Sequence, residues 1–375
     1  MNDDNKMTNS LSRRDFLKTL LTGGTIFSAS AMGFVGLKGR NQAQQEEPEV
    51  QNHNQGNHGN HGEMGTVGQV DPKSSGIDTQ AFLSDFDYGI VSQMENGQTL
   101  REYQIVAVDR EIEIAPGVFF PAWTYNGRVP GPNIRCVEGD RIRITFVNAG
   151  AHPHTIHFHG IHSGTMDGVP NIGAGVINTG ERTVYEFDAA PFGCHLYHCH
   201  AIPLKRHVHK GLYGAFIVDP DPEKYTGQAR EVAKTRNHQY SENKEVNEMI
   251  MVMNGFDTNF DGDNEIYAVN TVAFAYMDQP IKIRRDQLQR IYLINITEFD
   301  PINSLHIHAN FFDYYDHGTT LEPTLKTVDT IMQCQAQRGI VEFSYAGFEP
   351  NRYMFHAHQS EFAELGWMGF FEVVE

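Results

Sequence analysis

The sequence predicts an all-β protein made of two tandem sandwich- or barrel-type modules. Three observations carry this. Residues 103–108, 111–114 and 141–148 alternate apolar and polar side chains at period two, with Gly, Pro and Asn between them, which is the pattern of half-buried strands. From about Tyr88 onward no long stretch has clean helical periodicity. The second half also repeats the plan of the first. Residues 289–295 echo 143–148, and His306-Ile307-His308 echoes His157-Phe158-His159. In the same way His356-Ala357-His358 echoes His198-Cys199-His200, and Gly366-Trp367-Met368-Gly369 echoes Gly211-Leu212-Tyr213-Gly214. The offsets cluster near about 150–160 residues with small drifts, the mark of a duplicated module with loop-sized insertions.

Taken in order, residues 1–40 read as an address. Ser12-Arg13-Arg14-Asp15-Phe16-Leu17-Lys18 resembles the twin-arginine export motif, a weakly apolar run follows to about Leu37, and Ala29-Ser30-Ala31 is a candidate cleavage site. The run is rich in Gly, Ser and Thr, which suits a signal better than a stable membrane span. A periplasmic or extracellular location is expected. Residues 41–80, rich in Gln, Asn, Glu and Gly at the start, are expected to be a flexible linker, with His53, His58, His61 and Met64 as weak soft-metal donors on a solvated tether. The first module is expected over 81–222. Asp219-Pro220-Asp221-Pro222 then opens a charged connector or short helix, 223–246, and the second module occupies 247–375.

Composition excludes some functions. With 375 residues and a net charge of −18, the chain lacks the basic footprint that nucleic acids or anionic membrane surfaces require. Four cysteines, Cys136, Cys194, Cys199 and Cys334, are too few for a disulfide framework, although one bridge outside Cys199 stays open.

The chemistry centres on Tyr197-His198-Cys199-His200 and His207. A thiolate with imidazole nitrogens is the donor set of an electron-transfer copper; zinc, or a buried thiol with solvated neighbours, is the alternative. On an extended segment His198 and His200 share a face and Cys199 takes the other, so one strand can hold one metal and touch others. Nineteen histidines should give about one His-x-His pair by chance. There are six: His152/His154, His157/His159, His198/His200, His207/His209, His306/His308 and His356/His358. Four of them sit in register in the repeat. Eight imidazoles can hold three coppers with positions left open. Three coppers plus one at Cys199 make four one-electron stores, and reducing dioxygen to water takes four electrons.

Together with Tyr125–Asn133, His154–Gly160 and His356–Glu361, these motifs resemble those of two-domain multicopper oxidases, whose domains are related to those of copper nitrite reductases and laccases. The resemblance covers about Tyr88 to Glu375 and implies two cupredoxin-like Greek-key β-sandwiches. It implies a type 1 copper at His154, Cys199 and His207, a type 2 copper at His157 and His306, and a type 3 pair at His159, His198, His200, His308, His356 and His358. The axial type 1 position, often Met, falls on Leu212, which cannot ligate; this implies a higher potential. Met166 is the alternative for that role, and His209 competes with His207. Ala357 stands where Cys199 does, so type 1 copper belongs to the first module alone. Because a trinuclear cluster sits between facing modules, the resemblance implies a homotrimer with clusters between subunits.

The activity implied is laccase-like: one-electron oxidation of a phenol or aromatic amine, or of Cu(I), Fe(II) or Mn(II), coupled to dioxygen reduction. The sequence near the type 1 residues has no Met-rich insertion, which disfavours a cuprous donor. Nitrite reductase is the rival, but its site has one copper on three histidines and an aspartate where His157 stands. A non-catalytic copper carrier is the alternative from another class. Asp167 and Glu361 are candidate proton-relay carboxylates. Residues 257–265 begin like a calcium loop, but the twelfth position is Ala268 rather than Glu, so a hairpin turn is expected there.

Overall fold

A computed structural model describes residues 68–240 and 246–375. The twin-arginine segment and the His53, His58, His61 and Met64 tract lie outside the described residues. Among those described, no helix is long and apolar enough to cross a membrane.

The first half contributes ten strands: β1 (Phe86–Asp87), β2 (Ile90–Gln93), β3 (Thr99–Ala115), β4 (Val118–Tyr125), β5 (Asn133–Val137), β6 (Arg141–Asn148), β7 (His157–Phe158), β8 (Arg182–Asp188), β9 (Gly193–His198) and β10 (Tyr213–Asp219). The second contributes β11 (Val246–Phe256), β12 (Ile266–Val269), β13 (Ile281–Arg284), β14 (Leu288–Asn295), β15 (Ile302–Ile307), β16 (Phe312–Asp316), β17 (Leu325–Val328), β18 (Thr330–Cys334), β19 (Arg338–Phe343), β20 (Arg352–His356) and β21 (Met368–Val374).

Each half folds into two sheets, and the repeat holds strand for strand. In one sheet β3 runs parallel to β6, which pairs antiparallel with β8; β11, β14 and β19 reproduce this. In the other, β5 runs parallel to β10, which pairs with β9 and then β7; β13, β21, β20 and β15 follow the same order. The sheets of each half close over their own apolar core, one around Ile105, Ile144, Phe158 and Tyr197, the other around Met251, Leu293, Phe355 and Phe371. This is the all-β tandem-sandwich arrangement the sequence predicts. One detail differs: residues 103–108 and 111–114 belong to a single strand, β3, because the polar interruption at Asp109-Arg110 lies on its hairpin with β4 rather than at a turn.

A third apolar cluster joins the halves. Ile112, Phe120, Leu196 and Tyr213 of the first pack with Ile250, Val252, Tyr292 and Ile340 of the second. An ion network crosses the same seam. Arg135 pairs with Asp219 at 3.0 Å and with Glu248 at 2.7 Å, and Arg290 pairs with Glu248 and Glu342. Both arginines are buried, and such charges are tolerated only because each keeps its partners. Burial would raise the Glu248 carboxyl, but Arg135 and Arg290 outweigh it and hold it down at about 2.

The expected linker ends earlier than residue 80. Asp71 caps a helical turn at Pro72–Ser75, and Asp78 caps another at Thr79–Phe82. Between and after them Ile77, Phe82 and Leu83 are buried. This strap holds both halves: Arg110 donates to the Lys73 carbonyl, Tyr276 Oη donates to that of Thr79, and Ile250 N–H to that of Leu83. Composition could not separate it from the polar tract before it, since its order comes from three apolar side chains and two caps. The connector contains a helix, Gly227–Thr235. All four cysteines are free, so the open disulfide is not formed.

Candidate metal centres

The two cores place their imidazoles by strand register. His157 on β7 lies directly across from His198 on β9, and His306 on β15 lies directly across from His356 on β20. Each pair recruits two more rings. The His157 ring lies 5.2, 5.3 and 5.4 Å from those of His159, His198 and His200. The His306 ring lies 4.9, 5.4 and 5.3 Å from those of His308, His356 and His358. The eight imidazoles thus form two matched quartets, one per half. Among the described residues no ring contact joins one quartet to the other. His308 and His358 are exposed, and the second quartet faces outward.

Cys199 points the other way, into the first core, as strand alternation requires. Its Sγ is 3.3 Å from His207 Nδ1 and 4.0 Å from His154 Nδ1, and the two nitrogens are 3.2 Å apart. His207 comes from the helix Leu204–His209. His209, two residues on, lies about 200° round that helix and faces away. It accepts from the Asp257 N–H at 3.0 Å and packs among Phe120, Phe260 and Phe299, so it belongs to the seam. Leu212 is fully buried, its carbonyl accepting the Cys199 N–H at 3.0 Å. The Met166 sulfur instead accepts the Glu186 N–H at 3.4 Å. Gly211 turns the chain at φ +112, and a Cβ there would meet Val129 at 2.5 Å; its counterpart Gly366, at φ +129, would meet the Tyr267 carbonyl at 2.4 Å.

The donor atoms are prepared for metal. Nδ1 of His157, His198, His306 and His356 each meets a backbone carbonyl, of Asp167, Cys199, Asp329 and Ala357 respectively, at 2.6–3.0 Å. This fixes the proton on Nδ1 and turns the Nε2 lone pair inward. His159 Nε2 and His198 Nε2 then face each other at 3.2 Å, and His308 Nε2 and His356 Nε2 at 2.9 Å. His200 Nδ1 is buried with no partner. Burial keeps the rings neutral: it depresses His159 to about 2, His154 to about 3, and His198 and His207 to about 4. Burial also pushes the Cys199 thiol up, so a bound cation is what would hold it as thiolate. The Thr155 N–H donates to the sulfur at 3.3 Å. Neutral imidazoles, facing lone pairs and one buried sulfur fit copper.

These depressed values set a pH dependence. The unfolded imidazoles bind protons near 6.5 while the folded ones resist, so the folded state loses ground as pH falls from 6.5 toward 4. Each histidine contributes about 1.4 kcal/mol per pH unit in that window. Denaturant midpoints of the metal-free chain should drop steeply between about pH 7 and about pH 5. Flat midpoints would contradict neutral burial of these rings.

Of the carboxylates, Asp167 lies in the site: its Oδ1 is 3.1 Å from His157 Nδ1 and 3.7 Å from His162 Nε2. Glu361 is exposed on the helix Ser360–Glu364, and none of its hydrogen bonds or ion pairs among the described residues reaches a histidine. Sequence reasoning missed His162 and Asp329. The Asp329 carbonyl and Thr330 Oγ1 hold His306 as the Asp167 carbonyl holds His157; no motif marks Asp329, because its backbone acts.

In the second half the place of the cysteine group is filled. Ala357 N–H donates to the Trp367 carbonyl at 3.1 Å, as Cys199 does to Leu212. The His358 N–H is held by Ser304 Oγ at 2.8 Å, as that of His200 is by Thr155 Oγ1. The Trp367 indole N–H donates to Asn303, which stands where His154 does, at 3.1 Å, and both are fully buried. Asp257, Asp261 and Glu265 come together in the β11–β12 hairpin loop. Their oxygens accept loop N–H groups: Asp257 takes Asp261 and Gly262, and Glu265 takes Thr258.

Comparison with known proteins adds the family. Residues 109–223 and 242–375 each match the family described as multicopper oxidase, together more than half of the chain. A solved structure described as that of a multicopper oxidase is 54% identical, with a TM-score of 0.74, over 82% of this chain and 100% of its own. The probable nitrite reductase-hydroxylamine oxidoreductase fusion protein of Kuenenia stuttgartiensis is 28% identical over 70% of this chain and 30% of its own. The copper-containing nitrite reductase of Neisseria gonorrhoeae is 29% identical over 63% and 59%. The chain spans less than two thirds of the length of these two curated relatives.

Proposed function

The chain belongs to the multicopper oxidase family, and from that membership we propose that it couples one-electron oxidation of a reducing substrate to four-electron reduction of dioxygen to water. The observation that carries this reading is the pair of matched imidazole quartets, one of them on the strand whose opposite face carries Cys199. His154, Cys199 and His207 would hold one copper. His157 and His306 would hold a second, and His159, His198, His200, His308, His356 and His358 a further pair. Copper bound there supplies one-electron storage and the capacity to reduce dioxygen.

The protein's own part is positional. His198 and His200 flank Cys199, so sulfur and imidazoles are joined by a few covalent bonds. Backbone carbonyls fix the tautomers, and Leu212 keeps the sulfur in an apolar wall. Asp167 holds its carboxylate 3.1 Å from His157 Nδ1, where it could take up a proton beside the quartet. Asp167→Asn should slow oxygen uptake by roughly tenfold or more while leaving the visible absorption of the cysteine group intact. Unchanged uptake would remove Asp167 from proton delivery.

Each quartet would supply half of a cluster, since among the described residues no ring contact joins the two. A homotrimeric ring of head-to-tail contacts would set the first quartet of one subunit against the second quartet of the next. Export by the twin-arginine route, to a periplasmic or extracellular place, is part of the same reading and rests on residues 12–18.

The curated relatives' names raise nitrite reduction as a second reading. A single catalytic copper on three imidazoles would leave His200 and His356 without a task. Copper content and oxygen uptake test all of this: about four coppers per chain with uptake on a phenolic donor supports the oxidase. One copper without uptake points to a carrier, and turnover with nitrite in place of oxygen points to a reductase.

A further inference from the structure

The cysteine group has no exposed edge of its own. His154 and Cys199 are fully buried and His207 is 3% exposed. What lies between it and solvent is Trp123. Its ring contacts those of His207 at 4.8 Å and His154 at 5.4 Å. Its outer side is covered by the exposed His152, ring to ring at 4.5 Å, and by the Arg206 guanidinium at 5.4 Å. Trp123 is itself 7% exposed, so a reductant too large to enter the protein meets His152, Arg206 and the edge of this indole before it meets His154, Cys199 or His207.

The charge around this indole is opposite to that of the protein. Lys210 lies over Phe120 and Phe260, each at 4.9 Å, and Lys205 over Phe299 at 4.1 Å. Two carboxylates oppose them: Asp109 acts on Lys210, and Glu298 faces Lys205. Arg206 makes no ion pair among the described residues, and it acts directly on His207. Asp109 lies directly across from Trp123 in the β3–β4 hairpin, so Arg206 and Lys210 beside the indole face one carboxylate. In a chain of net charge −18 this is a local inversion of sign.

We propose that Trp123 is the surface port through which electrons reach the cysteine group, and that Arg206 beside it makes the port select small anionic one-electron donors over metal cations. The proposal rests on reading that group as a copper that accepts electrons. The step is an outer-sphere transfer. The anion loses one electron, copper(II) held by His154, Cys199 and His207 becomes copper(I), and no atom or proton changes place.

The chain has two tryptophans, Trp123 at 7% exposure and Trp367 fully buried, so any collisional quenching of fluorescence reports on the edge of Trp123 without any metal. Iodide should quench the metal-free chain more than caesium, and Arg206→Glu should reverse that order. Trp123→Phe should remove the quenchable part. In the copper-loaded protein, hexacyanoferrate(II) should bleach the visible band faster than tris(phenanthroline)cobalt(II), a cation of similar potential. Arg206→Glu should slow the first by roughly tenfold and speed the second, and added salt should shrink both differences. Caesium quenching equal to iodide, or indifference to Arg206→Glu, would overturn the port. Bound copper bleached equally by both complexes would overturn the port alone. A chain that held no copper at the cysteine group would overturn the oxidase reading with it.

Discussion

Cys199→Ser should abolish oxygen uptake while leaving the fold and most of the copper in place. The substitution keeps the size of the side chain and the Thr155 N–H contact, so the core around it has no reason to collapse. It exchanges a soft donor for a hydroxyl that does not ionise beside two neutral imidazoles, so a copper held by His154 and His207 would lose its soft ligand. His198 and His200 face away from the sulfur and keep their carbonyl and lone-pair geometry. Copper content should fall from about four to about three per chain, the strong visible absorption should vanish, and uptake should drop to background. Uptake that persisted with the visible band gone would show that electrons reach the quartets by another route.

Co-expressing two inactive variants should restore about a quarter of wild-type uptake. One subunit carries His157→Ala with His159→Ala, the other His306→Ala with His308→Ala. Each alone lacks half of every cluster. In a head-to-tail ring an intact junction needs the first quartet from one kind of subunit and the second from the other. Random mixing provides that at about one junction in four. If both quartets of a cluster came from the same chain, no mixture would recover anything, since every chain is damaged. Metal analysis and native mass of the mixed rings would separate failed assembly from failed catalysis.

Much of this site is legible in the sequence because duplication writes it twice. A His-x-His pair on a strand puts two imidazoles on one face, and finding four such pairs in register leaves little room for chance. What stays hidden depends on packing. Nothing in the spacing separates His207 from His209; a short helix decides by turning one toward Cys199 and the other toward the Asp257 N–H. Asp329 acts through its carbonyl, and His162 joins Asp167 by a loop that brings distant backbone together. Glu361 follows His358 closely in sequence, yet the helix beginning at Ser360 carries it outward. The start of the strap, residues 68–80, reads as part of the polar tract because two Asp-capped turns and one buried apolar side chain, Ile77, are a weak signal beside so much Gln and Asn.

Trp367 gives such a ring a direction. Its indole and Asn303 close the pocket that the first half keeps for sulfur, so the second half offers acceptor imidazoles with no thiolate behind them. Around a closed trimer each cluster would then have a single supplier, always on the neighbour that brings β9, and traffic could not run backwards. Three clusters would work as three independent circuits. Losing one cysteine should silence one of them and leave two running, and activity should decline in proportion to the share of Cys199→Ser subunits, not collapse at the first.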